Sequence, residues 1–400
     1  MGEPGTHTAS AGGHLVGLQA PLATGSMEHQ DAAKVTLNDG TVWLDAATGG
    51  FGAGHPSVTA TLNEQLGRVA LSSRIMLSRP LADAVRALAD LCPDPLQVSY
   101  LCNSGGEALD SALKLAKGLR PSRRRVLGLA GEDHGTLNHG LGLTHGGSPL
   151  SNLALRPYTV GADRAEELVD LVDDRTAAVV IAPAAPGRPL AALDTAWWTS
   201  LRNACDRSGT LLVLDERLTG PARLGARLGT DLLGIVPDAL IMGEPLGADA
   251  VPTGVMVTSR DVYDRVYARH NPTLHGSTFG ANPLSSVAVL AVLRTIAEEG
   301  LVERQNRVAE VFRRELAEYL GGSGPVRAGV DGSLAWLAAD DPAVLEALTD
   351  RLADHRVLVR PAAGTALGIL PPLRAHEDDV ARIAAAAAKA AADVTTREER

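Results

Sequence analysis

The sequence predicts an α/β fold: a large domain with a mostly parallel sheet flanked by helices, followed by a smaller α/β domain at the C-terminus. Apolar segments of strand length alternate with segments of helical periodicity as far as residue 299, which is the pattern of a parallel sheet with helices on both faces. Leu211–Leu214 is apolar at every position, as expected for a strand buried on both faces. After Gly300 the pattern changes to short strands between helices.

The composition is that of a globular protein with ample length for a large core. Of 400 residues, 45% are hydrophobic, 21% are charged and only 3% are aromatic, so Ala, Val and Leu must build the core. We expect three parts: an N-terminal segment, 1–48, that packs with the small domain; a large domain, 49–299; and the small C-terminal domain, 300–400.

Charge and cysteine content indicate where the protein works. The net charge of −10 argues against a nucleic acid or an anionic membrane as partner. No apolar run is long enough to span a membrane and no secretory signal is found. Cys92, Cys102 and Cys205 are widely spaced, which is typical of reduced thiols in a cytoplasmic protein. No metal site is predicted.

Each element is predicted from its local pattern, in chain order. Asp39-Gly40 between two strand-like segments is typical of a hairpin turn. The predicted strands are Val35–Leu37, Thr41–Leu44, Gln97–Cys102, Arg125–Ala130, Leu153–Tyr158, Ala177–Ala182, Leu211–Leu214, Ala239–Met242, Gly254–Thr258, Leu334–Ala338, Val357–Val359 and Ala366–Leu370. The predicted helices are one that begins near Ser57, then Ala108–Gly118, Asp163–Val172, Thr195–Arg207, one from Pro283 to about Glu299, Leu301–Leu320 and Asp378–Ala392.

Carboxylates follow two of the buried strands. Asp215 and Glu216 come directly after Leu211–Leu214, and Glu244 follows Ala239–Met242. In open α/β sheets, ligands bind at the carboxyl ends of the strands. The alternative is that Asp215 and Glu216 bind nearby backbone amides and have a structural role only.

A glycine pair opens the helix after the strand Gln97–Cys102. Ser104 and Glu107 form a capping-box pattern, and Gly105 and Gly106 between them would let an anion approach the free backbone N–H groups. The alternative is a tight strand-to-helix turn without a ligand. The glycine-rich segment Gly49–Pro56 is interpreted as a flexible turn, because it does not follow a long buried strand.

Six segments carry a resemblance to a known family. They are Asn38–Asp45 continuing to Gly54–Pro56, Asn103–Ala108, Leu214–Glu216 with Thr219–Gly220 and Arg223–Gly225, Pro237–Gly247, His275–Pro283 and Leu370–Leu373. In this order they resemble the class III aminotransferases of the pyridoxal-phosphate fold type I, over most of the chain. His275–Pro283 is similar to the family pattern almost letter for letter.

The resemblance implies a transaminase that uses pyridoxal phosphate. In the family, a lysine forms a Schiff base with the cofactor and then acts as general base. An aspartate binds the pyridine nitrogen, and an aromatic ring and a valine pack on the two faces of the cofactor ring. A helix N-terminus and a threonine of the neighbouring subunit hold the phosphate, so the resemblance also implies a dimer.

By resemblance, part of the cofactor site is kept. Ser104 and Gly105 match the phosphate loop, in which Gly106 replaces a threonine. Asp215 matches the aspartate of the pyridine nitrogen. Thr278 matches the threonine that would serve the partner subunit's phosphate.

Other positions depart from the family pattern. Glu244 stands at the position of the catalytic lysine, Asp133 stands before His134 where the stacking aromatic is expected, and Arg217 replaces the valine. The further differences are Leu218 for a glutamine, Ala182 for a glutamate, and Gly368 for an arginine common in members that bind a second carboxylate. The last two argue against a typical dicarboxylate or an ornithine-like amino acid as substrate.

No lysine is placed to replace the missing one. The four lysines are Lys34, Lys114, Lys117 and Lys389. Two lie on the helix after the phosphate loop, where they point away from the aldehyde, and two lie in peripheral segments. Without a lysine, Asp133, Asp215 and Glu244 would form an acidic cluster that needs a cation. We expect Arg217 to occupy the ring slot and to pair with these carboxylates, which argues against cofactor binding.

Three functions are compatible with this pattern. The first is a non-catalytic homologue, either a homodimer or the partner of a lysine-bearing aminotransferase, to which it would lend Thr278. The second is a cofactor-independent acid–base enzyme. It would use Glu244, Asp133, His134 and Asp215 in the cleft that binds the cofactor in the family. The third is an active aminotransferase that works through an external aldimine with another group as base.

Overall fold

Two seven-stranded sheets organise the computed structural model, which describes residues 25–72, 76–144, 155–268, 275–322, 324–361 and 364–398. The strands are β1 (Met27–Asp31), β2 (Lys34–Leu37), β3 (Val42–Ala46), β4 (Leu96–Cys102), β5 (Arg125–Leu129), β6 (Arg156–Val160), β7 (Thr176–Ile181), β8 (Leu211–Asp215), β9 (Ala239–Met242), β10 (Gly254–Ser259), β11 (Arg327–Asp331), β12 (Leu334–Ala338), β13 (Val357–Pro361) and β14 (Ala366–Ile369).

Helices cover both sheets. They are α1 (Pro56–Arg68), α2 (Arg79–Leu91), α3 (Gly105–Leu119), α4 (Asn138–Thr144), α5 (Ala165–Asp170), α6 (Thr195–Ser208), α7 (Thr230–Leu233), α8 (Arg260–Tyr263), α9 (Pro283–Glu298), α10 (Leu301–Glu315), α11 (Pro342–Asp354) and α12 (Glu377–Glu398). No helix in the described ranges is both long enough and apolar enough to cross a membrane.

The first sheet is mostly parallel and has the order β4-β10-β9-β8-β7-β5-β6. Only β10 runs against its two neighbours, β4 and β9. All residues of β7, β8 and β9 are buried, because helices cover both faces of these strands, and this explains why their sequences are apolar throughout. The predicted fold class is confirmed.

The second sheet joins the two ends of the described chain and has the order β1-β2-β3-β13-β14-β12-β11. Its pairs are antiparallel except for β3 and β13, in which Val357 pairs with Leu44. The predicted hairpin is present as β2 and β3. The domain boundaries at 48 and 299 stay predictions, and residues 1–24 of the N-terminal segment lie outside the described ranges.

Some predicted elements differ in extent. The helix predicted at Asp163–Val172 is shorter, because Arg164 has φ −122° and separates a 3₁₀ turn from α5. The helix predicted at Leu301–Leu320 ends at Glu315, where Leu316 leaves the helical conformation. Leu153 and Ala154 of the fifth predicted strand, Leu153–Tyr158, lie outside the described ranges. Strands β1 and β11 and helices α2, α4, α7, α8 and α11 match none of the ranges predicted from the sequence.

Candidate functional site

The candidate site lies at the carboxyl edge of the first sheet, where β4, β5, β8 and β9 end. A cleft of about 1080 Å³ opens there between the two sheets. Its lining includes Ser104, Gly106, Asp133, Gly135, Leu137, Arg217, Leu218, Glu244 and Asp249 from the first sheet and its loops, and Gln30, Leu358 and Arg360 from the second. The position agrees with the general rule for ligand sites in open α/β sheets.

Arg217 lines the floor of this cleft, and the buried Asp215 lies behind it. The Nε of Arg217 donates to Oδ1 and Oδ2 of Asp215 at 2.9 and 3.1 Å, and its Nη2 donates to Oδ2 at 2.8 Å. The side chains of Asp215 and Arg217 are only 3% and 10% exposed. Burial raises the pKa of Asp215, but Arg217 and His134 outweigh it and hold this pKa far below its ordinary value. Asp215 is therefore ionised and held in place by its two cationic neighbours.

The stem of Arg217 fills the space between two backbone segments. A β-carbon placed on Gly105 would lie 2.4 Å from Cδ of Arg217, and one on Gly243 would lie 3.4 Å from its Cβ. The guanidinium continues to the loop after β5, where Nη2 donates to the carbonyl of Asp133 at 2.7 Å. Arg217 is thus packed and bonded on several sides.

A chain of buried charges continues from Asp215 away from the cleft. His134 Nδ1 lies 2.8 Å from Oδ2 of Asp215, and its Nε2 lies 3.2 Å from Oε2 of Glu132, an ion pair aligned too poorly for a hydrogen bond. The other oxygen of Glu132 accepts from Arg188, whose side chain is only 4% exposed. Burial lowers the pKa of His134, but its two carboxylate neighbours raise it to about 9. His134 is a cation at neutral pH.

The carboxylate of Asp133 has a different partner from the one expected. Its Oδ2 accepts from Nη2 and Nε of Arg360 at 2.8 and 3.2 Å, and its Oδ1 accepts from the backbone N–H of Gly135 at 2.8 Å. Arg360 lies on β13, where it pairs with Gly368 of β14. The ion pair therefore connects the first sheet to the second across the cleft.

Glu244 is not bonded to these charges, although it lies close enough to raise the pKa of Arg217. It is exposed at the start of a short 3₁₀ helix after β9, and it makes no hydrogen bond or ion pair with another described residue. Of the three carboxylates expected to pair with Arg217, only Asp215 is hydrogen-bonded to it through its side chain. Asp133 and Glu244 raise the pKa of Arg217 through space, less than Asp215 does, and the carboxylate of Asp133 is hydrogen-bonded to Arg360.

Glu216 points away from the cleft. Its carboxylate accepts from the backbone N–H groups of Gly229 and Thr230 at 2.6 and 2.9 Å. Burial raises its pKa to about 7 despite these hydrogen bonds. The structural interpretation of this carboxylate agrees with its contacts.

The predicted phosphate loop is the N-terminus of α3. Ser104 caps the helix, since its Oγ accepts from the N–H of Glu107 at 3.2 Å. The carboxylate of Glu107 reaches back to the N–H of Asn103 at 3.1 Å, one residue beyond a standard capping box. Gly105 is buried against Arg217, whereas Gly106 faces the cleft.

Thr278 does not line this cleft and lies on an exposed loop. The loop is held by a hydrogen bond of 2.7 Å from Nδ2 of Asn103 to Ser277, and by a contact of 2.7 Å between His275 and Ser111. Thr278 and Phe279 are exposed, the latter by 55%. Thr278 therefore stays exposed on a loop that hydrogen bonds hold in place.

Comparison with known proteins decides the family. The sequence profile described as "Aminotransferase class-III" matches residues 22–390. The chain belongs to this family. It is 31% identical to the acetylornithine aminotransferase of Mycobacterium tuberculosis over 86% of each chain. It is 30% identical to the acetylornithine aminotransferase of Methanopyrus kandleri over 72% of this chain and 74% of that protein.

Solved structures show the same class III fold. The ornithine aminotransferase of Toxoplasma gondii superposes with a TM-score of 0.84 at 22% identity, over 100% of this chain and 97% of that one. An ω-transaminase of Thermomicrobium roseum superposes with a TM-score of 0.81 at 19% identity, over 92% and 93% of the two chains. The resemblance read from the six sequence segments is confirmed.

Three residues of this class III site were missed by sequence reasoning: Glu132, Arg188 and Arg360. Glu132 directly precedes Asp133 and also follows a buried strand. Its position in the sequence could therefore have indicated that it belongs to the site. Arg188 and Arg360 lie 56 and 227 residues from their partners, Glu132 and Asp133. No local pattern indicates such pairs.

Proposed function

We propose that this chain is a class III aminotransferase homologue that does not itself catalyse pyridoxal-phosphate-dependent amino transfer. The observation that carries the proposal is the bond between Arg217 and Asp215. By family resemblance, Asp215 would bind the pyridine nitrogen, and here the guanidinium already takes that place. The resemblance also puts Glu244 where the Schiff-base lysine belongs.

The residues present do not fit pyridoxal phosphate. The ring would have to enter the space that the Arg217 stem fills beside Gly105 and Gly243. Moving Arg217 out would break its bonds to Asp215 and to the Asp133 carbonyl in a buried place, where such losses are costly. Glu244 would in addition place a negative charge near the aldehyde end. Asp133 cannot stack on a ring as an aromatic side chain does.

A cofactor titration followed by visible absorbance tests this proposal. Wild type should give no aldimine band and no micromolar binding of pyridoxal phosphate. Glu244→Lys should also give none, because Arg217 still fills the slot. The double variant Arg217→Val with Glu244→Lys should gain the band. Arg327→Val with Glu244→Lys is the matched control, since Arg327 forms an exposed ion pair with Asp340 outside the cleft.

Either of two results would overturn the proposal. The first is an aldimine band or micromolar affinity in wild type. The second is a band in Glu244→Lys as strong as in the double variant, which would mean that Arg217 leaves the slot easily. Circular dichroism of all variants checks that the fold is retained.

A second role is favoured by the loop 275–280. Hydrogen bonds hold this loop firmly while Thr278 and Phe279 face outward. We propose that the chain forms a homodimer or pairs with a lysine-bearing aminotransferase, to whose phosphate site Thr278 would contribute. Co-expression with such an enzyme should raise its activity, and Thr278→Ala should remove the gain.

The three buried free cysteines are in keeping with a cytoplasmic location.

An acid–base enzyme in the same cleft has less support. His134 is fully buried and both of its nitrogens face carboxylates, so a substrate cannot reach it. Asp215 stays ionised because Arg217 and His134 lower its pKa, so it is a poor proton acceptor. Only Glu244, of the four residues suggested for this role, is freely exposed.

A further inference from the structure

Arg360 occupies an unusual position in the cleft. It belongs to β13 of the second sheet, but its guanidinium reaches the loop after β5 of the first. Its side chain is 32% exposed and lines the cleft together with Arg217. Its Nε and Nη2 are bonded to Asp133, and its Nη1 makes no hydrogen bond to a described residue.

Asp133 does not offer the guanidinium of Arg360 its preferred hydrogen-bond geometry. Both nitrogens of Arg360 meet the same oxygen, Oδ2, because Oδ1 is committed to the N–H of Gly135. A guanidinium prefers two parallel bonds to both oxygens of a carboxylate. A free carboxylate could offer that arrangement, which Asp133 cannot.

The surroundings limit the ligand to one negative charge. Glu244 and Asp249 line the same cleft, so a second anionic group would meet like charges. Apolar side chains are also present for the body of a ligand: Leu137, Leu218, Val251 and Leu358. Leu137 is 48% exposed, so a ligand with an apolar body could bury part of its surface.

We propose that Arg360 anchors a site for a small monocarboxylate with an apolar body, and that Asp133 competes with this ligand for the guanidinium. The inference rests on the proposed function, because it assigns a ligand to the cleft in which the cofactor does not fit. Arg217 adds a second cation nearby, since it is bonded to the carbonyl of Asp133.

Calorimetric titration of the cofactor-free full chain tests the site with three probes of equal carbon number. Butyrate should bind. Succinate should bind at least tenfold more weakly, because its second carboxylate meets Glu244 and Asp249. Butyramide should show no binding, because it lacks the charge that the guanidinium recognises.

Two variants should change butyrate affinity in opposite directions. Arg360→Gln should weaken it at least tenfold. Asp133→Asn should strengthen it at least fivefold, because the competing charge is gone while the amide oxygen can still accept from Gly135. Arg327→Gln is the control: Arg327 is also 32% exposed, also lies on a strand of the second sheet and also pairs with an aspartate, yet outside the cleft.

The proposal is overturned if butyrate does not bind, if succinate binds as tightly, if Arg360→Gln binds like wild type, or if Asp133→Asn binds more weakly than wild type. Such results leave the proposed function untouched. The proposed function fails separately, by an aldimine band in wild type during the cofactor titration. The two failures are therefore distinguishable.

Discussion

Charged side chains at the floor of the cleft are buried and paired, whereas Glu244 at its rim is exposed and unpaired among the described residues. At the floor, Arg217 begins a chain of five charged side chains that leads away from the cleft, in which the charges alternate in sign and contact one another: Arg217, Asp215, His134, Glu132 and Arg188. All are at most 10% exposed. On the rim, Glu244 is exposed and has no bonded partner among the described residues.

The difference shows that the two charged replacements are not equivalent. Arg217 is part of the buried structure, and its removal would leave Asp215 with only one cation. Changing Glu244 would break no hydrogen bond or ion pair with another described residue. By family resemblance both positions belong to the cofactor site, but only Arg217 is built into the fold.

The largest effect is expected from breaking the far end of this chain of buried charges. Arg188→Met leaves Glu132 buried without its arginine, so the free energy of unfolding should fall by about 3–5 kcal/mol. Urea denaturation measures this loss. Arg327→Met, which breaks an exposed pair, should cost less than about 1 kcal/mol. Equal losses in the two variants would contradict the contrast between buried and exposed charges.

The next effect is a pH dependence that His134 contributes. Its pKa is about 9 in the folded protein and 6.5 ordinarily, so its stabilising effect is complete below about pH 6.5 and is lost as the pH rises through 9. The difference in unfolding free energy between wild type and His134→Gln should shrink by the order of 3 kcal/mol over this range. Thermal or urea unfolding at several pH values measures it. A constant difference would mean that His134 is neutral in the fold.

A smaller effect is expected at Ser104, which lies between floor and rim at the start of α3. Ser104→Ala removes the cap on the N–H of Glu107 and should cost about 1 kcal/mol in unfolding free energy. Ser78→Ala at the start of α2 is a matched control, since Ser78 caps its helix in the same way through the N–H of Leu81. A loss several times larger at Ser104 would indicate that this hydroxyl supports more than its helix.

The smallest effect is expected on the rim. Glu244→Gln should change the unfolding free energy by less than about 0.5 kcal/mol, because no hydrogen bond or ion pair is lost. Chemical denaturation is sufficient to measure it. A destabilisation above about 1 kcal/mol would show that Glu244 pairs with Arg217 in solution, and the distinction between floor and rim would fail.

Local sequence was sufficient for the fold class and for part of the site. Periodicity located β8, β9 and α3 to within a few residues, because buried strands and helix starts have strong local signals. The family resemblance placed Ser104, Asp133, Asp215 and Arg217 in one site, and three of them, Ser104, Asp133 and Arg217, line one cleft. The bond between Arg217 and Asp215 was also predicted, because the carboxylates expected around the ring slot need a cation.

The sequence by itself therefore determined the first sheet and the strand ends that carry the site. Only the tertiary structure decided which charges meet when they are distant in the chain. Arg360 reaches Asp133 because β13 joins the sheet that faces β5, and Arg188 reaches Glu132 because the chain folds back after β7. Ion pairs between distant residues depend on how the layers pack, and no local pattern encodes that packing.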